Sequence, residues 1–438
     1  MGTDVAAAGL AVAELTRDGR FEEVAARFGP RLRAAASAGT LEVAWRAEQA
    51  RLGPVTRIGT PVTEPGEPGL VLVVVPVVFE QGELSLRMAI DPDGLLHGLR
   101  IAPAADGWEP PSYAAPNRFT EREVTIGDGP LAVPGTLTLP RGRGTGPGVV
   151  LLAGGGPFDR DETSGPNKPL KDLAWGLATR GVAVLRFDKV TYAHSEVSDE
   201  PGYTMTREYV PHGAAAVRLL WQQPGVDPGR VFVLGHSLGG KAAPRVAAAE
   251  PALAGLILLA GDASPMHRSA VRVARYLADV SPGPDMEQAV ATLTRQAELV
   301  DSQELSASTP AGDLPFGLPA SFWLDEREYR PVPTAAAAGK PMLILQGGRD
   351  YQVTVQDDLT RWREGLGQRA DVTIRVYDPD NHLFFPGTGK STPADYAAPQ
   401  HVDPDVIADI ARWLGPRRRN RLALFGPRGR RRPSASAR

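Results

Sequence analysis

The sequence predicts an α/β protein with a mostly parallel, doubly wound sheet, preceded by a small α+β domain. From residue 149 onward, short apolar segments alternate with helix-forming segments, which is typical of strands that are buried on both faces of a parallel sheet. Before that point, helix-forming segments come first and strand-like segments follow, which is typical of an α+β domain. A chain of 438 residues is also too long for one ordinary core.

These patterns predict a division of the chain into domains and connecting segments. We expect a small α+β domain at 1–105, a proline-rich linker at 106–120, an α/β domain at 121–415 with a helical insertion at 262–335, and a basic, disordered tail at 416–438.

Composition excludes several classes of site. The chain has no cysteine, so it has no disulfide, no thiolate metal site and no cysteine nucleophile. The longest apolar run, 70–79, is too short to cross a bilayer. The first 15 residues lack a basic segment followed by an apolar core, so we expect no signal peptide and a cytoplasmic location.

Charge is distributed unevenly along the chain. The net formal charge is −3, but the tail at 416–438 holds nine arginines and no acid, which leaves residues 1–415 at −12. Such a tail fits either an arm that binds nucleic acid or anionic lipid, or a solvated extension. We favour the extension, because Phe425 is its only aromatic residue and stacking side chains are typical of nucleic-acid binding.

The small domain is predicted to contain helices within 4–52, where Trp45 packs inward at helical spacing. Four strands follow, at 55–62, 70–80, 83–90 and 95–101. Turns at Gln81-Gly82 and Asp91–Gly94 join the last three strands. Pro76 lacks an N–H donor and therefore predicts an edge position or a bulge in its strand.

The α/β domain begins with a predicted hairpin at 121–126 and 131–139. The strands expected after it are 149–152, 182–187, 231–234, 256–259, 342–345 and 372–377. The helices expected between and after them lie near 168–180, 206–222, 238–250, 355–366 and 403–414.

About eighty residues separate the strand ending at Leu259 from the strand starting at Met342, far more than a βα connection needs. We therefore expect 262–335 to form a helical cap over the carboxyl ends of the strands. Its aromatic residues are expected either to line a substrate pocket or to hold the cap together; they include Phe316, Phe322, Trp323 and Tyr329.

The segment Gly235-His-Ser-Leu-Gly239 carries the strongest chemical signal. An apolar strand precedes this Gly-x-Ser-x-Gly pattern and a helix-forming segment follows it. A serine on such a sharp turn has an exposed hydroxyl, and glycines allow the chains to pass closely. Ser237 is therefore the candidate nucleophile.

A serine hydroxyl needs a base, and the base needs an acid, at the carboxyl ends of neighbouring strands. His382 follows the last predicted strand and is the candidate base. His236 adjoins the nucleophile and is expected to shape the turn, whereas the remaining histidines carry no strand-end signal; these are His97, His194, His212, His267 and His401.

Asp350 is the candidate acid, because it follows the strand that precedes the His382 strand. Asp357 and Asp358 are rivals that are expected inside the next helix, and Asp380 is too close to His382 in sequence. The order Ser237, Asp350, His382 is the chain order of nucleophile-elbow hydrolases.

The oxyanion formed in acyl transfer needs two backbone N–H donors. We expect one from Leu238 and one from the loop 153–156, where Gly155 is the first choice and Gly156 the second. A phosphate-binding role for this loop is disfavoured, because the loop lacks the third glycine of the dinucleotide-binding pattern and the lysine-serine or lysine-threonine pair of a P-loop. Lys241 is interpreted as an ordinary helix lysine, and no cluster has metal-ligand spacing.

Together these pieces resemble the α/β-hydrolase superfamily, and more narrowly bacterial serine esterases with a small α+β domain in front. The matching pieces span about 120–415 and are Gly154–Glu162, Arg186–Lys189, Gly235–Gly240, Pro341–Gln352 and Asp380–Leu383. The resemblance implies the triad Ser237, Asp350, His382 and a helical cap at 262–335. The front domain is similar to the cone-shaped fold of ketosteroid isomerase and nuclear transport factor. Relatives usually have histidine at the position of Ala153 and a polar residue at Phe158.

The sequence therefore predicts a serine hydrolase that cleaves carboxylic esters, acts on a small ester or acyl substrate and needs no cofactor or metal. One alternative uses the same triad for acyl transfer, cyclisation, thioester cleavage or peptide cleavage. A second alternative is a non-catalytic binding protein whose front domain is the working part. The sequence leaves a homo-oligomer open.

Overall fold

The fold is taken from a computed structural model, which describes residues 4–65, 69–103, 108–142 and 144–415. The basic tail predicted at 416–438 lies outside the described residues. Contacts divide the chain into two units. The first holds the described residues up to 109 with two short later segments, 165–167 and 396–399, and the second holds the remainder.

The first unit contains four helices followed by an antiparallel sheet. The helices are α1 (Val5–Arg17), α2 (Phe21–Ala25), α3 (Pro30–Ala35) and α4 (Ala38–Leu52). The strands are β1 (Val55–Ile58), β2 (Val62–Pro65), β3 (Val71–Phe79), β4 (Gly82–Ile90) and β5 (Leu96–Pro103). Asp4 and Ser37 cap α1 and α4 by accepting hydrogen bonds from backbone amides. Trp45 is buried against Phe79, as predicted.

The prediction that Pro76 marks an edge strand or a bulge is wrong. Strand β3 is central in the sheet, with β4 on one side and both β1 and β2 on the other. Pro76 lies opposite the break between β1 and β2, where the pairing with Ile58 has ended and the pairing with Val62 has not begun. The missing N–H therefore costs no ladder hydrogen bond, so a central strand tolerates the proline.

The second unit is built on an eight-stranded sheet in the order β13-β12-β11-β10-β8-β9-β7-β6. An antiparallel hairpin forms one edge, and the six strands from β9 to β13 in this order are parallel. The strands are β6 (Phe119–Ile126), β7 (Val133–Pro140), β8 (Gly146–Leu152), β9 (Ala183–Phe187), β10 (Val226–His236), β11 (Gly255–Leu259), β12 (Met342–Gly347) and β13 (Val372–Tyr377).

Helices connect the strands and cover the sheet. They are α5 (Pro169–Thr179), α6 (Val190–Ala193), α7 (Met205–Trp221), α8 (Leu238–Ala249), α9 (Met266–Val280), α10 (Pro284–Asp301), α11 (Ala320–Glu328), α12 (Pro331–Ala338), α13 (Thr360–Leu366) and α14 (Pro404–Leu414). All residues of β8, β9, β11 and β12 are buried, as expected for parallel strands covered on both faces. Within the described residues, no helix is both long enough and apolar enough to span a bilayer.

The strand order fixes where a site can form. Strands β8 and β10 are neighbours, but the chain leaves β8 for β9 on one side and returns to β10 on the other. The loops that follow β8 and β10 therefore diverge at the carboxyl edge of the sheet and leave a crevice, which is where open α/β sheets bind ligands.

The segment between β11 and β12 is helical and holds α9, α10, α11 and α12. Its aromatic residues do not share one role. Phe322, Trp323 and Tyr329 are buried in the main core cluster, whereas Phe316 is 59% exposed. The first three therefore hold this segment together and have little surface to offer a substrate, which is the second of the two roles expected for them.

Candidate active site

The candidate nucleophile lies on a sharp turn at the carboxyl end of β10. Ser237 has φ 53° and ψ −120°, a left-handed conformation that is rare for a residue with a side chain. The turn is held from both sides. The Ser237 amide donates to Leu259 O at 2.9 Å, and its carbonyl accepts from Lys241 N at 3.1 Å.

Two glycines make this turn sterically feasible. A Cβ at Gly235 would lie 2.2 Å from Gly239 O, and a Cβ at Gly239 would lie 2.5 Å from the carbonyl oxygens of Leu152 and Ala153. Both distances are below any real carbon–oxygen contact. The motif therefore lets the strand, the turn and the loop after β8 pass one another closely.

The candidate base and acid meet at the same edge. Asp350 follows β12 and His382 follows β13, and His382 Nδ1 donates to Asp350 Oδ2 at 2.7 Å. Both side chains are buried. Asp350 Oδ1 accepts from the amides of Gln352 and Val353 at 2.8 and 2.9 Å, so the carboxylate is fixed before it orients the imidazole.

His236 joins the His382 loop to the serine turn. Its Nε2 donates to His382 O at 2.9 Å, and the two rings lie 4.7 Å apart. This agrees with the interpretation that His236 shapes the turn. No direct hydrogen bond joins Ser237 Oγ to His382 Nε2 among the described residues, an arrangement that commonly tightens only when substrate binds.

The loop after β8 lies against the nucleophile. A Cβ at Gly154 would lie 3.2 Å from Ser237 Cβ, and one at Gly155 would lie 3.5 Å from Leu238 Cδ2. The Gly154 amide already donates to Glu162 Oε1 at 2.8 Å. Gly155 is therefore the next donor along the loop, beside Leu238 at the first turn of α8. The loop that carries the expected donor Gly155 therefore lies against Ser237 and Leu238.

The rival acids have other partners. Asp358 is buried and accepts from the amides of Ala263, Ser264 and Thr354, which fastens the start of the segment between β11 and β12. Asp357 pairs with Arg272. Of these three aspartates, only Asp350 is hydrogen-bonded to His382.

Asp380 is a buried carboxyl whose oxygens accept no hydrogen bond from the described residues. Burial raises the pKa of Asp380 from 3.8 to about 7, and the charge of nearby Asp403 adds to the shift. The folded protein therefore retains this proton while the unfolded chain releases it. As a result, the group destabilises the fold progressively as pH rises from 3.8 to about 7.

An Asp380→Asn variant is therefore expected to lose less stability than the wild type between pH 5 and pH 8. The amide cannot ionise, and it can donate to Asp403. In thermal unfolding experiments, the melting temperature of the variant minus that of the wild type should increase by roughly 3 °C or more from pH 5 to pH 8. The exposed Asp128→Asn is the control. Parallel pH profiles for wild type and Asp380→Asn would contradict the shift.

Lys241 is not an ordinary helix lysine, contrary to the prediction. It is 1% exposed, and its Nζ contacts Glu326 and Ser264 O at 2.6 Å and Asp262 at 3.4 Å. Burial lowers its pKa, but the two carboxylates raise it overall above the ordinary value. The lysine ties the first turn of α8 to α11 through Glu326, a partner 85 residues away that no local pattern reveals.

The other histidines are bonded elsewhere, as their lack of a strand-end signal suggested. His97 pairs with Asp91, His194 with Ala132 O, His212 with Leu131 O, His267 with Asp301 and His401 with Asp172. The described residues contain no group of three or more His, Asp or Glu side chains arranged to hold a metal ion.

Sequence reasoning missed the residues that support the site. Gln346 Nε2 donates to Asp350 Oδ2 at 3.1 Å. Glu162 is buried, adopts φ 54° and bonds both Gly154 and His236. A usable signal existed for Glu162, because it ends the Gly154–Glu162 stretch on which the family resemblance rested.

Comparison with known proteins decides the family. Residues 168–386 match the family model "Serine aminopeptidase, S33". Esterase EstD of Thermotoga maritima is 37% identical over 337 residues, which cover 77% of this chain and 77% of EstD. The chain belongs to the α/β-hydrolase superfamily. Within it, the chain is an esterase-like serine hydrolase.

Solved structures of this α/β-hydrolase fold include two esterases that align with the chain. Est1E from Butyrivibrio proteoclasticus is 19% identical with a TM-score of 0.42, covering 60% of this chain and 90% of Est1E. A Pyrococcus furiosus esterase is 16% identical with a TM-score of 0.43, covering 72% of this chain and 97% of that chain.

Proposed function

We propose that this α/β-hydrolase cleaves carboxylic esters of small molecules through an acyl-enzyme formed on Ser237. The observation that carries the proposal is the buried His382–Asp350 hydrogen bond at the sheet edge where Ser237 sits on its strained turn. The name of its relative, Esterase EstD, supports an ester as the substrate class.

In the first half-reaction, His382 Nε2 takes the Ser237 proton as Oγ attacks the ester carbonyl carbon. The N–H groups of Leu238 and Gly155 stabilise the negative oxygen of the tetrahedral intermediate. When the C–O bond breaks, the imidazolium gives its proton to the departing alkoxide, which leaves as the alcohol. Asp350 stabilises the imidazolium and keeps Nδ1 protonated throughout.

In the second half-reaction, water repeats the attack on the acyl-enzyme. His382 removes a proton from the water, a second tetrahedral intermediate forms, and Ser237 Oγ leaves with that proton. The carboxylic acid departs and the hydroxyl is restored. An alcohol, amine or thiol that attacks the acyl-enzyme in place of water gives acyl transfer by the same steps. The identity of this acceptor therefore distinguishes ester hydrolysis from acyl transfer.

The test compares an acyl p-nitrophenyl ester, a thioester and an acyl p-nitroanilide on wild type and Ser237→Ala, with and without a competing alcohol or amine. We expect ester hydrolysis by the wild type only, covalent labelling by a fluorophosphonate, and the free acid as the main product. Faster cleavage of the anilide than of the ester would favour a peptidase, the activity named in the description of the matched family, "Serine aminopeptidase, S33". A dominant transfer product would favour an acyltransferase, and a failure to label would favour a binding protein.

A further inference from the structure

A buried polar cluster surrounds the loop after β8, and the catalytic steps above do not use it. We call it the loop clamp and define it as Glu162, Lys189, Tyr209 and His236. All four residues are at most 4% exposed. Burying charged groups costs free energy unless they are paired. The contacts of the clamp are therefore informative about what it does.

The clamp converges on one peptide group of the loop. Gly154 N donates to Glu162 Oε1 at 2.8 Å, while Gly154 O accepts from Lys189 Nζ at 2.6 Å and lies 2.7 Å from Tyr209 Oη. Tyr209 Oη also lies 3.0 Å from Ala153 O. Both polar groups of Gly154 are thus fixed by side chains rather than by secondary structure, immediately before the amide of Gly155.

The clamp members come from four separate parts of the unit, and His236 is at the end of β10. Glu162 belongs to the loop after β8 itself. Lys189 follows the neighbouring parallel strand β9 and pairs with Glu208 at 3.1 Å. Tyr209 is on α7, which packs on β8 and β10. The side chains that hold the loop are therefore brought together by the fold from positions far apart in the sequence.

His236 extends the clamp to the His382 loop. Its Nδ1 faces Glu162 Oε1 at 2.8 Å and its Nε2 faces His382 O at 2.9 Å. The carbonyl oxygen can only accept, so Nε2 donates to it, and the adjacent Glu162 carboxylate favours a proton on Nδ1 as well. Burial lowers the pKa of His236, but the Glu162 carboxylate and the hydrogen bonds raise it overall.

From this geometry we infer that Glu162, Lys189 and Tyr209 are positioning residues that present the Gly155 amide to the oxyanion, and that His236 holds this loop in register with the His382 loop. The inference rests on the proposed function. A misaligned donor weakens binding of the transition state more than binding of the substrate, so kcat should fall while KM stays nearly constant.

The test measures kcat and KM for a p-nitrophenyl ester in Lys189→Met, Tyr209→Phe and Glu162→Gln. It also measures the inhibition constant of a trifluoromethyl ketone, which adds the serine Oγ to give a tetrahedral oxyanion. We expect kcat to fall by about 10- to 100-fold, less than the loss of an oxyanion donor itself. KM should stay within about threefold, and inhibitor affinity should fall in parallel with kcat.

Matched controls remove similar contacts elsewhere in the unit. Glu250→Gln breaks a buried carboxylate's pair with Arg218, and Lys340→Met removes a lysine contact with Pro251 O. Both should keep wild-type kcat and inhibitor affinity. Tyr209→Phe deletes only one hydroxyl. If Lys189→Met does not fold, the result for Tyr209→Phe tests the inference instead.

Two outcomes separate this inference from the proposed function. If wild type hydrolyses the ester and folded Tyr209→Phe and Glu162→Gln keep kcat within about threefold, the clamp does not position the loop, although the triad stands. Unchanged affinity for the ketone alongside a lower kcat would also overturn the positioning role. If wild type neither hydrolyses the ester nor reacts with a fluorophosphonate, the proposed function itself fails.

Discussion

Ester hydrolysis by the Ser237→Ala variant is expected to fall by about 10⁶-fold in kcat, and His382→Ala is expected to fall by a similar factor. Each substitution removes one partner of a proton transfer that neither can perform alone. The Ser237→Ala/His382→Ala double variant should therefore be no slower than either single variant, because residues that act as a unit are strongly non-additive. Initial rates with a p-nitrophenyl ester test both statements.

The matched control for the histidine is His97→Ala in the first unit, where the ring pairs with Asp91 at 2.8 Å. This variant should keep wild-type turnover and fluorophosphonate labelling. Retained activity in His382→Ala together with a loss in His97→Ala would show that the base had been assigned to the wrong histidine. A double variant whose losses multiply would contradict a shared proton transfer.

Most of the architecture of the second unit could be predicted because its strands are buried on both faces. Such strands are short, continuous apolar runs, which can be recognised in the sequence by their length and composition. Strands β8, β9, β11 and β12 are of this kind. Each predicted candidate, Ser237, Asp350 and His382, follows the end of a strand in the structure. Strand ends are local features, which is why the sequence could place them.

What the sequence could not reveal depends on long-range partners. Pro76 was misread because the break between β1 and β2 opposite it is a matter of pairing, not of composition. For Phe322 and Trp323 the sequence left a pocket role and a core role open, because composition does not distinguish an aromatic residue in the core from one that lines a pocket. Lys241 was misinterpreted and Lys189 was missed, because their charged partners are brought to them only by the fold.

Two buried lysines contact the elements next to Ser237. Lys189 bonds the loop that is expected to receive the oxyanion, and Lys241 joins the helix that begins at Leu238 to α11. Both lysines are buried and pair with a carboxylate, Lys189 with Glu208 and Lys241 with Glu326. We expect backbone order at Ser237 to depend on both contacts, because strained turns persist only where their surroundings over-determine them.

The acid gives the second large effect. In Asp350→Asn, turnover is expected to fall by about 10⁴-fold with little change in KM. Asp350 accepts four hydrogen bonds, from two backbone amides at Oδ1 and from Gln346 and His382 at Oδ2. An asparagine can keep the two amide bonds only by turning its NH₂ group toward His382.

That NH₂ group can bond His382 Nδ1 only if Nδ1 carries no proton. The neutral imidazole then holds its proton on Nε2, which cannot accept the Ser237 proton, so the loss is one of tautomer rather than of fold. The measurement is kcat and KM for the ester, with thermal unfolding to confirm that Asp350→Asn is folded. The control is Asp357→Asn, which changes an exposed carboxylate that pairs with Arg272 and accepts from the Thr354 hydroxyl, and it should keep wild-type turnover. Near-normal turnover in Asp350→Asn with inactivity in Asp357→Asn would show that the acid had been misplaced.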